Sequence, residues 1–379
     1  MKNTFVHFVG GSYRAVAPLI FLADSEPAHD FVLGMSEFMG KIPGIPWLMR
    51  ACLNVSHPSL KTTVMGIDFD NPIGLAAGFD HEGQMPPIVD GIGFGFQSVG
   101  TVTNGIYEGN PYPRLKRLTK SRTLLVNKGL KSTGMSSVLK RLKGQKWHVP
   151  VGISIGRTNP MKEYTYPASN ADVIEAFTKA RDSGIPFSYF ELNISCPNML
   201  KEVSYYEPGP LGDLLALIAE LKLAVPLVIK MPISLTDEKT KELLDVIMQR
   251  PVAGVIFGNL QIDRTLPMFD KEEMAPYADK KGNWSGLPCQ ARSDDLVKLA
   301  YNHVKGKLAI VGCGGIFTAE DAYRKIRNGA NLVQLVTATI FEGPQVPAEI
   351  CVELPKLLAR DGFKHVSEAV GVDASTSKN

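Results

Sequence analysis

Phe187-Ser-Tyr-Phe-Glu-Leu-Asn-Ile-Ser-Cys-Pro-Asn198 is the stretch from which the fold can be read. Its apolar residues (Phe187, Tyr189, Phe190, Leu192) make a short run that stops abruptly in Asn193, Ser195, Cys196 and Asn198. A run too short for a helix and closed by turn formers reads as a buried strand opening into a loop. Two amides and a thiol then stand at the strand's C-terminal end. Amides hydrogen-bond both edges of a planar polar heterocycle, and a thiol takes up a proton that a serine hydroxyl takes only with help. Asn-x-Ser alone would be ordinary turn chemistry. The four polar groups together, with Pro197 fixing the loop, mark a candidate site.

Outward from this strand the same unit recurs. Apolar strand-like runs at 73–77, 93–99, 149–155, 189–193, 227–231, 254–257, 308–311 and 332–336 are mostly followed by helical stretches, among them 170–183, 211–223, 236–249, 292–304 and 319–328. Eight β-α units over roughly 300 residues predict an α/β fold, a closed (β/α)8 TIM barrel, over residues 61–372. A hairpin at 62–64 and 67–69, turning at Met65-Gly66, precedes it. Residues 1–60 carry three helical patterns without strands: about 13–22, a segment after Ser25, and one after Pro43 and Pro46. Their apolar load fits either packing on the barrel or a surface offered to lipid or an apolar ligand. The polar tail 373–379 reads as disordered.

The chain has 379 residues, 44% of them hydrophobic, and 41 basic against 38 acidic side chains give a net charge of +3. That is enough for a large core and argues against a nucleic-acid partner. Five scattered cysteines without CxxC spacing indicate a reducing compartment and no zinc site or disulfide frame, so no metal is expected. No run of about 18 apolar residues spans a bilayer, and no signal peptide is evident.

In such a barrel the C-terminal strand ends form the active face. The first strand ends in Ala76-Ala77-Gly78, small enough for a flat ring to lie on the backbone. The second gives Ser98, Gly100 and Thr101, the fourth Asn193 and Cys196, the sixth Asn259. The fifth ends in Lys230, inside an apolar run, where an ammonium needs a partner or a task. An ion pair is the plain alternative; the sharper one is a cation facing a ring that becomes anionic. Gly312-Cys-Gly-Gly315, the helix start at Thr318, Val336-Thr337 and a loop with Ser285-Gly286 suggest a phosphate site after the last two strands. Phosphate, flat ring and buried lysine together predict flavin mononucleotide (FMN). No GxGxxG stands between a strand and a helix, so a bound dinucleotide is not supported.

The chain resembles the dihydroorotate dehydrogenase family over roughly residues 10–373. The likeness is carried by Asn71-Pro-Ile-Gly-Leu-Ala-Ala-Gly-Phe-Asp80, Glu108-Gly-Asn-Pro-Tyr-Pro-Arg114, Asn193-Ile-Ser-Cys-Pro-Asn198, Trp284-Ser-Gly-Leu-Pro288, Gly312–Gly315 and Leu332-Val-Gln-Leu-Val-Thr337. Ser25-Glu-Pro-Ala-His29 is similar to the membrane-associated, quinone-reducing class, in which N-terminal helices form a tunnel to the flavin. The resemblance implies FMN-dependent oxidation of dihydroorotate to orotate in pyrimidine (UMP) biosynthesis, with quinone as acceptor. Cys196 would take the C5 proton. Asn127, Asn193, Asn198 and Asn259 would grip the pyrimidine. Lys230 would stabilise the reduced flavin. Ala76, Ala77, Gly78, Ser98, Gly100, Thr101, Asn127, Ser154, Asn193, Ser285, Gly286, Gly314, Gly315, Val336 and Thr337 would line the cofactor. His29 and Arg117 would line the tunnel. The implied location is peripheral, on a bacterial inner membrane or an organellar equivalent, and otherwise cytoplasmic.

The chain departs from the family at several points. Cysteine is the soluble class's base, whereas the quinone class usually carries serine. His81 stands where the family has a substrate-facing lysine, Ser154 where it commonly has a flavin-binding asparagine, and Val336 where it has an aromatic residue. The loop Asn127-Lys-Gly-Leu-Lys131 is one residue short, and Asn259-Leu-Gln261 replaces Asn-Thr-Thr. His81, Lys128 or Lys131 would then meet the substrate carboxylate. A flavin dehydrogenase acting on another dihydropyrimidine, or using a soluble acceptor such as fumarate, is the alternative. A flavin-binding paralogue without turnover is a third.

Overall fold

The computed structural model describes residues 2–159, 163, 165–199 and 203–374. Eight parallel strands close into a barrel: β1 (Ile73–Leu75), β2 (Phe96–Thr103), β3 (Val151–Gly156), β4 (Tyr189–Asn193), β5 (Leu227–Met231), β6 (Gly254–Phe257), β7 (Ala309–Cys313) and β8 (Leu332–Leu335). β8 closes on β1 with Val333 opposite Ile73. Every strand falls where an apolar run predicts it, because a strand covered on both faces must be apolar nearly throughout. β2 is shifted towards its C-terminus. Gly93, at φ +101°, closes the 3-10 turn Val89–Ile92, so the strand starts late and runs to Thr103.

Alternation along the strands stacks the barrel interior in layers. At the bottom, Phe96, Tyr189, Val228, Ile256, Val311 and Leu332 pack with Val64 and Phe69 of the hairpin Thr62–Val64/Ile67–Phe69. The rings fit only because neighbouring strands carry glycine. A methyl at Gly74 would lie 2.3 Å from the Phe96 ring, and one at Gly152 2.2 Å from Tyr189. Burying each ring stabilises by about 1.5–3 kcal/mol. Outside the barrel, helices such as Tyr166–Arg181, Asp237–Met248 and Ala319–Arg327 start at threonine caps (Thr165, Thr236, Thr318) that each accept a backbone N–H.

The N-terminal region is three helices, α1 (Lys2–Ile20), α2 (Ser25–Lys41) and α3 (Ile45–Leu53). α1 begins well before the expected 13–22. Gly10-Gly11 does not break it; Gly10 lets it approach the last helix, Val346–Arg360, where a methyl would collide with Glu349. Inner faces are tied down by ion pairs: Arg14–Glu349 (3.1 Å), Arg50 with the buried Asp90 (2.8 Å), and Glu26–Arg114 (2.9 Å), both buried. Outer faces expose Phe8, Leu19, Leu22, Phe31, Phe38 and Trp47. The extension thus packs on the barrel and presents apolar surface at once.

Two expectations need correction. Asp373 and Ala374 are not a loose tail: Arg327 pairs with Asp373 (2.6 Å), and Ala374 is fully buried. Residues 375–379 of the expected tail lie outside the described residues. Ser285-Gly286 is not in a loop but in a strand, Asn283–Gly286, of an antiparallel sheet with Thr123–Val126 and Leu115–Leu118.

Candidate active site

A cavity opens at the C-terminal ends of the strands, with about 1230 Å³ of atom-free space counted out to its mouth. Ala76, Ala77 and Gly78 wall it after β1, Thr101 in β2, Asn193 and Lys230 at the ends of β4 and β5, and Asn259 after β6. Gly314 and Gly315 follow β7, Val336 and Thr337 follow β8, and Ser285 and Gly286 complete this side. Among the described residues, its wall carries Lys128, Lys131 and Lys230 but no carboxylate. Such a cavity favours anions.

Cys196 and Ser195 are neighbours in sequence, but only Cys196 reaches the cavity. Ser195 is buried, donates to Asn193 Oδ1 (2.7 Å) and accepts from Asn259 Nδ2, tying two wall amides together. Asn198, also in the wall, donates to Val126 O (2.9 Å) and accepts from Asn283 (2.7 Å). Cys196 is partly exposed. Its surroundings are nonetheless apolar enough that burial pushes the thiol up to about 11, against the opposing pull of the Asn198 N–H, Lys230 and Arg157.

Lys230 stands opposite Asn193 in the barrel register. It is buried, donates to Ala77 O (3.3 Å), and forms no ion pair with any described residue. Among the described residues the ion-pair alternative therefore finds no partner.

Four residues expected in the wall lie elsewhere. Ser98 and Ser154 point inward one layer lower and both donate to the fully buried Glu191 carboxylate (2.7 Å each). Thr101 and Asn193 join this network from above, Thr101 with Ser154 (2.9 Å) and Asn193 donating to Thr101 (2.6 Å). Gly100 is behind the wall; its N–H donates to Asp80 O (2.9 Å) and its carbonyl accepts from Gly78 (2.6 Å). Asn127 is buried and accepts from Asn110 (2.9 Å). Sequence reading passed over Glu191, although it shares the inward face with Asn193 two residues on.

His81 lies in a turn pinned by buried Asp80, which accepts from Gln84 N, Met85 N and Gln97 Nε2. Burial, with Lys128, His29 and Lys131 nearby, holds His81 well below the usual imidazole range, so it is neutral. Its Nδ1 is buried without a partner among the described residues, and its ring stacks on His29 at 5.8 Å. His29 lines the cavity too. Arg117 does not: it caps the α1–α2 turn by donating to Phe21 O and Ala23 O (3.1 Å each). The apolar wall of Leu115, Leu124, Val126 and Ile340 went unread in the sequence, because the extra sheet that supplies most of it was missed.

The helix start at Thr318, expected to hold phosphate, is already satisfied. Asp321 accepts from Phe317 N and Thr318 N in a capping box. The glycines before it, not the helix end, face the cavity.

Comparison with known proteins agrees with this geometry. The family model described as dihydroorotate dehydrogenase matches residues 59–358. A dihydroorotate dehydrogenase (quinone) from Natronomonas pharaonis is 35% identical over 365 residues, covering 96% of this chain and 99% of its own. One from Gloeobacter violaceus is 33% identical, covering 95% and 98%. A crystal structure of DHODH from Eimeria tenella in complex with ferulenol superposes with a TM-score of 0.81 at 27% identity, covering 95% of this chain and 99% of that one. This chain belongs to the dihydroorotate dehydrogenase family.

Proposed function

We propose that the protein oxidises dihydroorotate to orotate with noncovalently held FMN and passes the electrons to a quinone. The observation that carries this is the convergence of Cys196, Asn193, Asn198, Asn259 and Lys230 on one cavity with no acidic side chain among its described wall residues. Members of the family are flavoproteins, and the wall suits FMN. A methyl at Gly78 would meet no protein atom within 4 Å, so the space above that backbone is free for a ring. Gly286 and Gly315, at φ +83° and +68°, bring their backbone to the far wall through turns with no room for a side chain, since a methyl would meet Arg122 O at 2.5 Å and Gln290 at 2.3 Å. When bound, FMN supplies the hydride acceptor.

The chain's own residues do the rest. Cys196 takes the C5 proton, the three asparagines orient the ring, and Lys230 offsets negative charge gained on reduction. His81, being neutral, can offer the substrate carboxylate a hydrogen bond but no charge, which falls to Lys131, also in the cavity wall. That lysine favours a carboxylated substrate over a dihydropyrimidine that lacks one. The exposed apolar faces of α1–α3 rest peripherally on a membrane and admit quinone. No helix among the described residues is long and apolar enough to cross a membrane.

The test is anaerobic. Dihydroorotate should bleach the yellow protein, and a short-chain quinone should restore its colour. No bleaching in flavin-loaded protein removes the substrate assignment; recolouring by fumarate alone removes the quinone.

A further inference from the structure

Lys128 is a half-buried ammonium that forms no ion pair with any described residue. Its Nζ lies 3.3 Å from His29 Nδ1. His29 Nε2 lies 2.9 Å from Phe79 O, and a carbonyl can only accept. The imidazole proton is therefore on Nε2, and Nδ1 accepts from Lys128. Burial, together with Lys128 itself, holds His29 down to about 4, so it stays neutral. One N–H of Lys128 is used on His29, leaving others for a ligand in the cavity that both residues line.

The position of Lys128 points to the acceptor rather than the substrate. The cations acting on Cys196 are Lys230 and Arg157, whereas Lys128 donates to His29 of α2. The carboxylates acting on Lys128, Glu26 and Asp30, both belong to α2. The wall nearby is apolar: Leu115 and Val126 flank the segment leading to Lys128, and Ile340 accepts from Tyr13 of α1 (2.7 Å). An apolar chamber with a donating ammonium at its α2 end suits a molecule that is greasy except for carbonyl oxygens.

We propose that Lys128 hydrogen-bonds a quinone carbonyl at the α2 end of the cavity and protonates it during reduction. This rests on quinone being the acceptor. Reducing a quinone to a quinol takes two electrons and two protons. The electrons and one proton would be supplied by the flavin held in this cavity. The second proton comes from Lys128, whose N–H bond breaks as an O–H bond forms; the neutral amine then regains a proton from water. Burial lowers the ammonium to about 8, with Lys131 and Arg114 lowering it further and Glu26 and Asp30 opposing. The donor is present below that value and lost above it.

The test reoxidises pre-reduced holoenzyme with a short-chain quinone or with ferricyanide, which takes electrons without protons. The quinone rate should fall about tenfold per pH unit above about 8 while the ferricyanide rate stays flat. In Lys128→Met the quinone-to-ferricyanide ratio should drop at least about tenfold and lose this pH break; Lys128→Arg should keep more of the ratio. Independently of turnover, trace acylation of the wild-type amine, read by mass spectrometry, should have its midpoint near 8 and be blocked by a quinone analogue. An unchanged ratio in folded, flavin-loaded Lys128→Met overturns the proposal. So does a labelling midpoint near that of a free lysine, which needs no variant to fold. Wild-type protein that dihydroorotate reduces, ferricyanide reoxidises and quinone does not would instead overturn the acceptor assignment.

Discussion

Raising the pH acts directly on the proposed base. With the Cys196 thiol at about 11, about one molecule in ten thousand carries the thiolate at pH 7. If the thiolate takes the C5 proton, flavin reduction by dihydroorotate should rise about tenfold per pH unit from 7 and level off near 11. Stopped-flow bleaching of the flavin under anaerobic conditions measures this. The protein should be held near pH 8 and jumped, because its thiols also govern stability. A thiol whose pKa is raised by folding stabilises the native state below its unfolded value and loses that contribution as pH climbs through the folded one. Cys196, and Cys289 at about 12, place that loss between about 9 and 12. Cys196→Ser should be slower throughout, since a hydroxyl is a far weaker acid. A plateau already reached below pH 9, or a Cys196→Ala variant with wild-type rate and slope, would refute the assignment.

Other variants probe the frame around the site. Glu26→Gln leaves Arg114 buried without its carboxylate and should cost about 3–5 kcal/mol in urea unfolding; an unchanged midpoint would mean that water replaces the pair. Gly152→Ala forces a methyl against the Tyr189 ring and should cost about 1–3 kcal/mol in thermal unfolding. Phe31→Asp with Trp47→Asp, at positions 68% and 67% exposed, should abolish cosedimentation with lipid vesicles while changing stability by less than about 1 kcal/mol. Retained vesicle binding would move the membrane contact off α2 and α3. Point variants serve better than truncation here, because deleting the extension would also strip Asp90 and Arg114 of their partners.

The barrel was legible because each parallel strand is an apolar run closed by glycine or a polar residue, and the strand end then names its chemistry. Asn193, Cys196, Lys230, Asn259, Gly314 and Gly315 were found this way. Depth was not legible. Ser98 and Ser154 sit on the expected strands but one layer down, where Glu191 holds them. Long-range capture was not legible either: Asn127 is claimed by Asn110, and Arg117 by the carbonyls ending α1. The sheet strand Leu115-Lys-Arg-Leu118 has half its residues charged, so no alternation announced it. His29 and Lys128 are 99 positions apart, and nothing local joins them.

The departures at position 81 and in the 127–131 loop make physical sense together. His81 stands among His29, Lys128 and Lys131, all of which act to keep it uncharged. A lysine at 81 would add another ammonium to a buried corner that already holds two, and burial penalises every one of them. Glu26 is paired with Arg114, and Asp30 is half exposed, so little negative charge is left to offset another cation. Histidine avoids the conflict by staying neutral while still offering a ring nitrogen to the cavity. The positive charge is thereby carried by the shortened loop, next to α2, instead of by the turn after β1. In this chain the N-terminal helices therefore help decide which cavity groups are charged, and the substrate and acceptor ends of the site share one electrostatic balance.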